Sequence, residues 1–179
     1  MLALPGSSYL YQGEELGLPD STDMPDEFRQ DPTWERSGHT ERGRDGCRVP
    51  IPWEADRPSF GFGPSESTWL PQPSVYGRYA VDQQVGVEGS TLELYRALLT
   101  SRRTLDLGVG ALTWVEGYHD DVVAFVNSGV EADGVRTLVV ANLGPAPVAL
   151  PEGAQLILAS GPLGEDGTVP TDTTVWARY

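Results

Sequence analysis

Six short apolar segments in the second half of the chain constrain its fold more than any other feature. Gly, Pro, Asp and Asn separate them at short intervals, and each is rich in Val, Leu, Ile, Ala or Thr. They lie at residues 111–115, 122–126, 136–142, 147–150, 155–159 and 173–177. Closely spaced short strands are typical of an antiparallel β-sandwich. We therefore predict a β-sandwich domain over residues 108–179, preceded by a separate region over residues 1–107.

A seventh strand is predicted at residues 8–12, centred on Tyr9-Leu10-Tyr11. Pro-Gly-Ser-Ser precedes this apolar run and Gly13 follows it, which is the pattern of one short buried strand. Two carboxylates, Glu14 and Glu15, come directly after it. In parallel α/β sheets, the carboxyl ends of the strands are where functional side chains gather.

A helix is predicted at residues 91–103. Ser90 and Glu93 have the spacing of a capping box, and apolar residues then recur at helical intervals as far as Leu99. Arg102 and Arg103 lie near the end, where the helix dipole favours cations. We expect the leucine face of this helix to pack on the strand at 8–12.

The segment between the strand and the helix, residues 13–80, shows no sustained helical or strand period. It is rich in Pro, Gly, Ser and Asp, and long loops of this kind inside compact domains are usually functional. Its aromatic residues argue against disorder, because they can hold an extended chain against a folded body. We predict an ordered insertion.

Composition excludes several classes of function. The net charge is −14, and all 12 basic residues are arginine, so the surface repels nucleic acid. Apolar runs are too short for a membrane helix, and no signal peptide is visible. The single cysteine, Cys47, permits no intrachain disulfide. Together these features favour a cytoplasmic protein with no nucleic-acid or membrane partner.

Four segments resemble the α-glucosidase branch of glycoside hydrolase family 13, and the resemblance covers nearly the whole chain. Leu4–Leu18 is similar to the last barrel strand of that branch, and Gly43–Trp53 resembles its Arg-Asp-x-x-Arg-Thr-Pro-x-x-Trp motif. Trp69–Pro71 and Tyr79–Gln84 are similar to the segments before its last barrel helix. The Arg-Asp motif is the most specific, since it joins several residue types at fixed spacing.

The resemblance implies the fold and the activity. Residues 1–107 would be the last βα unit of a (β/α)₈ barrel, with a long loop, in the carboxyl-terminal part of a retaining α-glucosidase. The three catalytic carboxylates of the family would lie on earlier strands, so this chain is expected to be inactive alone and to need the missing barrel portion. A fragment of a related glucosyl isomerase or transglycosylase, such as trehalose synthase, and a non-catalytic carbohydrate-associated β module remain alternatives.

Three residues of the Arg-Asp motif are candidate substrate-binding residues: Arg44, Asp45 and Arg48. The guanidinium of Arg44 offers a rigid fork of donors for sugar hydroxyls or for a carboxylate that binds them. The resemblance implies that it fixes the non-reducing glucose of an α-glucoside. The alternative is a loop clamp through backbone carbonyls. Asp45 and Arg48 fit either substrate binding or, as we favour, an ion-pair network with Arg44 that shapes the loop.

No catalytic residue, metal site or cofactor site is predicted within this chain. Glu14 and Glu15 are adjacent, so their side chains point apart, whereas a retaining pair must face each other about 5–5.5 Å apart. We expect them to accept hydrogen bonds from the backbone. His39 and His119 lack ligand spacing to other candidates. Val49 and Ile51 stand where relatives often carry Thr and Met, which affects the predicted neighbouring subsite.

Overall fold

The structure, a computed structural model, describes residues 1–129 and 136–179. Two compact units are present: a loop unit of residues 10–93, and a sheet unit of residues 1–9 and 94–179. The helices and strands are α1 (Pro32–Arg36), α2 (Val81–Gln84), α3 (Thr91–Thr104), β1 (Ala111–Trp114), β2 (Val122–Ser128), β3 (Arg136–Asn142), β4 (Gln155–Ala159) and β5 (Thr173–Arg178). Short 3₁₀ turns lie before and between them, at Glu14–Leu16, Asp26–Phe28, Asp45–Arg48, Pro58–Gly61, Ser74–Tyr79 and Leu107–Val109.

The strands of the sheet unit form one antiparallel sheet in the order β1-β2-β3-β5-β4. Among the described residues, the antiparallel β domain that we predicted as a β-sandwich is present as this one five-stranded sheet, with strands at five of the six expected places. The sixth segment, 147–150, makes only an isolated bridge from Val148 to Val169. Pro147 and Pro151 flank that bridge, and a proline has no N–H to extend a ladder.

Alternation along the strands divides the sheet core into two layers. One face carries Val126, Leu138, Val140, Val175 and other small apolar residues, against which Val148 and Val169 pack. The opposite face carries Phe125, Val139 and Trp176. Strand β3 is buried on both faces along most of its length, as expected for a central strand.

Helix α3 is confirmed close to its predicted bounds, and the Ser90 hydroxyl accepts the Glu93 N–H at 3.3 Å as a cap should. Its expected packing is wrong. Tyr95 and Leu98 contact the Phe125–Trp176 face of the sheet, together with Leu2. The sheet offers this helix a broad apolar face, which an isolated extended segment cannot.

The predicted strand at 8–12 is also wrong in this structure. Residues 7–11 have no regular secondary structure, and Tyr9 is 84% exposed. A parallel strand depends on hydrogen bonds to neighbouring strands, and none of the described residues pairs with this segment. Its apolar pattern therefore indicated a strand whose partners the described part of the chain does not contain.

The first residues of the chain are held by side chains of the sheet unit instead. Arg102 donates to the carbonyls of Leu2 and Leu4, each at 2.6 Å, and to that of Gly6. The buried Asn127 amide donates to Ala3 O at 2.8 Å. These side-chain hydrogen bonds hold residues 2–6 in place, although the segment forms no strand.

The loop unit has a small apolar core of Met24, Val49, Leu70 and Tyr76. The buried side chain of Gln84 organises its end, because its amide donates to the carbonyls of Leu16 and Tyr79 and accepts the Leu92 N–H. The unit is ordered with little regular structure, as predicted for residues 13–80. Among all described residues, no helix is both long and apolar enough to cross a bilayer.

Candidate functional site

The Arg-Asp motif forms a tight turn whose shape depends on two glycines. Gly43 has φ of +68°, and a Cβ there would lie 2.6 Å from Asp31 Cγ. A Cβ on Gly46 would overlap the Asp20 carboxylate and lie 2.8 Å from Ser21 O. Only glycine lets the backbone pass this close to neighbouring groups. The turn is therefore pressed against residues 20–31 on both sides of Arg44.

Asp45 lies at the centre of this turn and is 1% exposed. One oxygen of its carboxylate accepts the backbone N–H groups of Gln30 and Asp31, at 2.8 and 2.9 Å. A carboxylate sealed in this way cannot reach a ligand. Its role is structural, because it holds the backbone of residues 30–31 against the turn.

The Asp31 carboxylate in turn binds groups of the Arg-Asp motif. It caps α1 by accepting the Thr33 N–H at 2.9 Å through Oδ1, while Oδ2 accepts the Arg44 N–H at 3.0 Å and the Arg48 Nη1 at 2.8 Å. The hydrogen bonds from Thr33 and Arg44, and then the charge of Arg48, hold the pKa of this carboxyl well below its usual range. Asp31 is thus ionised and connects both arginines of the motif.

The expected network in which Arg44 and Arg48 share Asp45 is replaced by an Arg48–Asp31 ion pair. Asp45 instead accepts the backbone N–H groups of Gln30 and Asp31. Sequence reasoning missed Asp31. Its signal was present in Asp31-Pro32-Thr33, since an Asp followed by Pro is the common start of a helix.

Arg44 differs from Arg29 and Arg48, whose guanidinium groups are paired within the loop unit. Its side chain is exposed, and within residues 1–129 and 136–179 its guanidinium has no hydrogen-bond or ion-pair partner. Arg29, in contrast, is buried and clamps the loop through Met24 O at 2.7 Å and Asp26 at 2.9 Å. The clamp role considered for Arg44 is therefore filled by Arg29.

A cavity of about 190 Å³ lies beside this turn, lined by Tyr11, Gln12, Cys47, Val49, Tyr76 and five further residues. The Cys47 thiol donates to Arg44 O at 3.2 Å, which ties the cavity wall to the same turn. Val49 turns its side chain into the loop core rather than into open solvent.

Aromatic residues of the loop unit fall into two groups. Tyr76 and Phe60 anchor the core, as expected for an ordered insertion. Trp53, Phe62 and Trp69 are each about half exposed, so the loop presents more aromatic surface than anchoring requires. Exposed rings of this kind provide stacking surface for apolar faces of a ligand.

Glu14 and Glu15 show no catalytic arrangement. Glu15 accepts the Gly13 N–H at 3.0 Å, which is the backbone role we expected. Across the part of the chain that the structure describes, no group of three or more His, Cys, Asp or Glu side chains could hold a metal ion.

Sequence comparison identifies the family. The model of the alpha-amylase catalytic domain matches residues 1–108, more than half of the chain, and that of a domain of unknown function, DUF3459, matches residues 122–176. The chain therefore belongs to the alpha-amylase family. The first match contains the Arg-Asp motif and the second contains strands β2 to β5.

Individual relatives carry several activities in their names. Maltase A2 of Drosophila melanogaster is 38% identical over 54% of this chain, and a probable alpha-glucosidase of Rhizobium meliloti is 37% identical over 65%. The trehalose synthase/amylase TreS of Mycobacterium tuberculosis is 33% identical over 84% of the chain. The chain spans only 15–24% of the length of these relatives.

Solved structures agree on the fold. The alpha-glucosyl transfer enzyme XgtA aligns with a TM-score of 0.78 and 32% identity, over 99% of this chain and 34% of its own. The trehalose-6-phosphate hydrolase of Bacillus licheniformis aligns with a TM-score of 0.80 over 99% of this chain and 37% of its own. At 19% identity, the second match supports the fold alone.

Proposed function

We propose that this chain forms the end of the catalytic domain and the following β domain of an enzyme that hydrolyses terminal α-linked glucose from oligosaccharides. The main observation in support of this proposal is the exposed guanidinium of Arg44. It lies on a loop whose backbone is held by the buried carboxylates of Asp31 and Asp45. In this proposal its donor fork binds hydroxyls of the non-reducing glucose or a carboxylate that orients them. The domain division at 107/108 belongs to the same proposal.

Asp45 and Arg48 have a supporting role in this proposal. Their charges are used within the loop, so they shape the site without touching sugar. The neighbouring cavity and Tyr11 form part of the surface that an α-glucoside would meet. The protein acts in the cytoplasm and without a cofactor or nucleic acid, which accords with its acidic, lysine-free composition and single cysteine.

The chemical step requires groups outside these 179 residues. The described carboxylates of the Arg-Asp loop are used by backbone N–H groups and Arg48, and Glu14 and Glu15 cannot face one glycosidic bond. The isolated chain should therefore release no product from an aryl α-glucoside. Turnover that disappears in a Glu15→Gln variant would reverse this conclusion.

Rearrangement of α-glucosides is the second candidate. It is supported by the trehalose synthase/amylase match, which is 33% identical over 84% of this chain. With maltose as substrate, the complete polypeptide encoded by the gene should yield glucose if it is a hydrolase. Trehalose as the main product would select the second candidate.

The role of Arg44 is tested by Arg44→Lys in the complete polypeptide. Lysine keeps the charge but loses the fork, so one or two charge-assisted hydrogen bonds go unmade and kcat/KM should fall about ten- to a hundredfold. The melting temperature should not change, because the exposed guanidinium has no hydrogen-bond or ion-pair partner among the described residues. Arg48→Lys should show the opposite pattern.

Arg36→Lys is the matched control, because Arg36 is another exposed arginine of the loop unit with no partner among the described residues. It should leave both kinetics and melting unchanged. If Arg44→Lys retains the wild-type kcat/KM while its melting temperature falls, Arg44 is a structural residue and the proposal is wrong.

A further inference from the structure

The Arg44 backbone is held by more contacts than a surface turn needs. Asp31 accepts the Arg44 N–H, and Asp45 accepts the Asp31 N–H in return. Each carboxylate therefore binds the backbone of the segment that carries the other. Both are more than nine-tenths buried.

The same carboxylate oxygen that holds Arg44 also neutralises Arg48. Asp31 Oδ2 lies 3.0 Å from the Arg44 nitrogen and 2.8 Å from Arg48 Nη1. Arg48 is thereby held in an ion pair, with its side chain still 35% exposed, whereas the exposed Arg44 guanidinium has no such partner among the described residues. One buried carboxylate thus binds the backbone of one arginine and the guanidinium of the other.

The backbone of this turn packs tightly against the Asp31 side chain. Gly43 passes over Asp31 so closely that a Cβ would lie 2.7 Å from Asp31 Cβ. Movement of the Asp31 side chain must move residues 43–44 with it. The position of the Arg44 guanidinium is thus linked to one side chain more than ten residues away in sequence.

We propose that Asp31 is the positioning residue for Arg44: it sets the turn from which the guanidinium reaches the sugar, and it holds the neighbouring Arg48 in an ion pair. This inference rests on the sugar-binding role proposed for Arg44. Asp31 touches no substrate and acts only through the two arginines. The link predicts a kinetic effect that depends on the presence of Arg44.

A double-mutant cycle in the complete polypeptide tests this dependence. Asp31→Asn should lower kcat/KM about ten- to a hundredfold, since misplacing a binding group by about 1 Å can cost that much. In an Arg44→Ala background the same change should cost less than about twofold, because nothing remains to be positioned. The melting temperature should fall equally in both backgrounds.

Two further variants complete the test. Gly43→Ala leaves the carboxylate intact but displaces the turn, so it should reproduce the Arg44-dependent kinetic loss. Asp26→Asn removes another loop carboxylate, which is 60% exposed and pairs with Arg29 instead of Arg48, and should leave kcat/KM unchanged. If Asp31→Asn unfolds the protein, Gly43→Ala decides the result.

Amide hydrogen exchange provides a readout on the 179-residue chain itself. The Arg44 N–H should be protected in the wild type and in Asp26→Asn, and should exchange at least about tenfold faster in Asp31→Ala. Equal protection in all three would overturn the inference, as would equal kinetic losses in both backgrounds of the cycle. A normal kcat/KM for Arg44→Ala alone would instead overturn the proposed function.

Discussion

The sheet unit and the loop unit bury apolar and polar groups in different proportions. The sheet unit buries mainly apolar side chains on both faces, with Asn127 and Asn142 among its buried polar ones, and its strand backbone groups are paired strand to strand. The loop unit buries the carboxylates of Asp31 and Asp45 and the amide of Gln84, which satisfy backbone N–H and C=O groups one at a time.

This difference has consequences for stability. Apolar burial is non-directional and tolerates small shifts, so the sheet should lose stability in proportion to the volume removed. A side-chain brace is directional, and removing it leaves buried donors without partners. Substitutions that remove a single side-chain oxygen should therefore reduce the stability of the loop unit most. Substitutions that remove apolar side-chain volume should reduce the stability of the sheet unit most.

The largest effect is expected from Trp176→Ala. Trp176 is buried on the helix-facing side of the sheet, and truncation of a buried Trp costs about 3–5 kcal/mol. Hydrogen exchange should show the loss in β3 and β5, and denaturant unfolding should give its size. Leu156→Ala, at a half-exposed position on β4, is the control and should stay within about 0.5 kcal/mol of the wild type.

Asp45→Ala should destabilise the loop unit by about 2–4 kcal/mol, because the buried Asp31 N–H loses its acceptor at about 1–3 kcal/mol and the part-buried Gln30 N–H loses a hydrogen bond worth about 1 kcal/mol. Asp45→Asn retains an oxygen that can accept both, so its effect should be much smaller. Equal losses in the two variants would show that charge, rather than hydrogen bonding, stabilises this turn.

Alkaline pH should weaken the loop unit through Tyr76. Burial, and then the negative charges of Asp20 and Cys47, raise the pKa of Tyr76 from 10.0 to about 12. Its hydroxyl donates to Pro19 O at 2.9 Å. Because the folded pKa is raised, this contribution is complete below pH 10 and is lost as the pH rises toward 12.

Tyrosinate absorbance during an alkaline titration measures this effect. Tyr76→Phe should remove the part of the pH dependence that lies between 10 and 12. Tyr9→Phe, at a highly exposed position, is the control. An unchanged profile in Tyr76→Phe would mean that another group is responsible.

The smallest effect is expected at the start of α3. Ser90→Ala removes a helix cap, which costs about 1 kcal/mol. Ser90→Asp keeps an acceptor and should recover most of the loss. The measurement is the free energy of unfolding from denaturant titration, and a loss as large as that of Asp45→Ala would contradict the ranking.

The sheet strands and α3 were predictable because their signals are local. Alternation from β1 to β5 and the Ser90–Glu93 spacing each lie within a few residues of sequence. The strand predicted at 8–12 failed because pairing is a property of neighbours, and the local pattern of Tyr9-Leu10-Tyr11 carries no information on whether they are present.

The candidate site was predictable only in part. The Arg-Asp motif pointed to Arg44, Asp45 and Arg48, but the partner of Arg48 lies at Asp31, beyond any short motif. Spacing between charges cannot show which carboxylate points at backbone and which at a guanidinium. That choice depends on how Gly43 and Gly46 fold the turn against residues 20–31.

The position of β5 has a consequence for how the protein is made. This strand follows all the others in sequence, yet it lies between β3 and β4. Until residues 173–178 have left the ribosome, β3 has an unpaired edge along Leu-Val-Val-Ala. Unpaired apolar strand edges form hydrogen bonds with strands of other chains and so lead to aggregation. A polypeptide that is truncated before β5 should therefore aggregate or require a chaperone, instead of folding as a slightly shorter version of the same sheet.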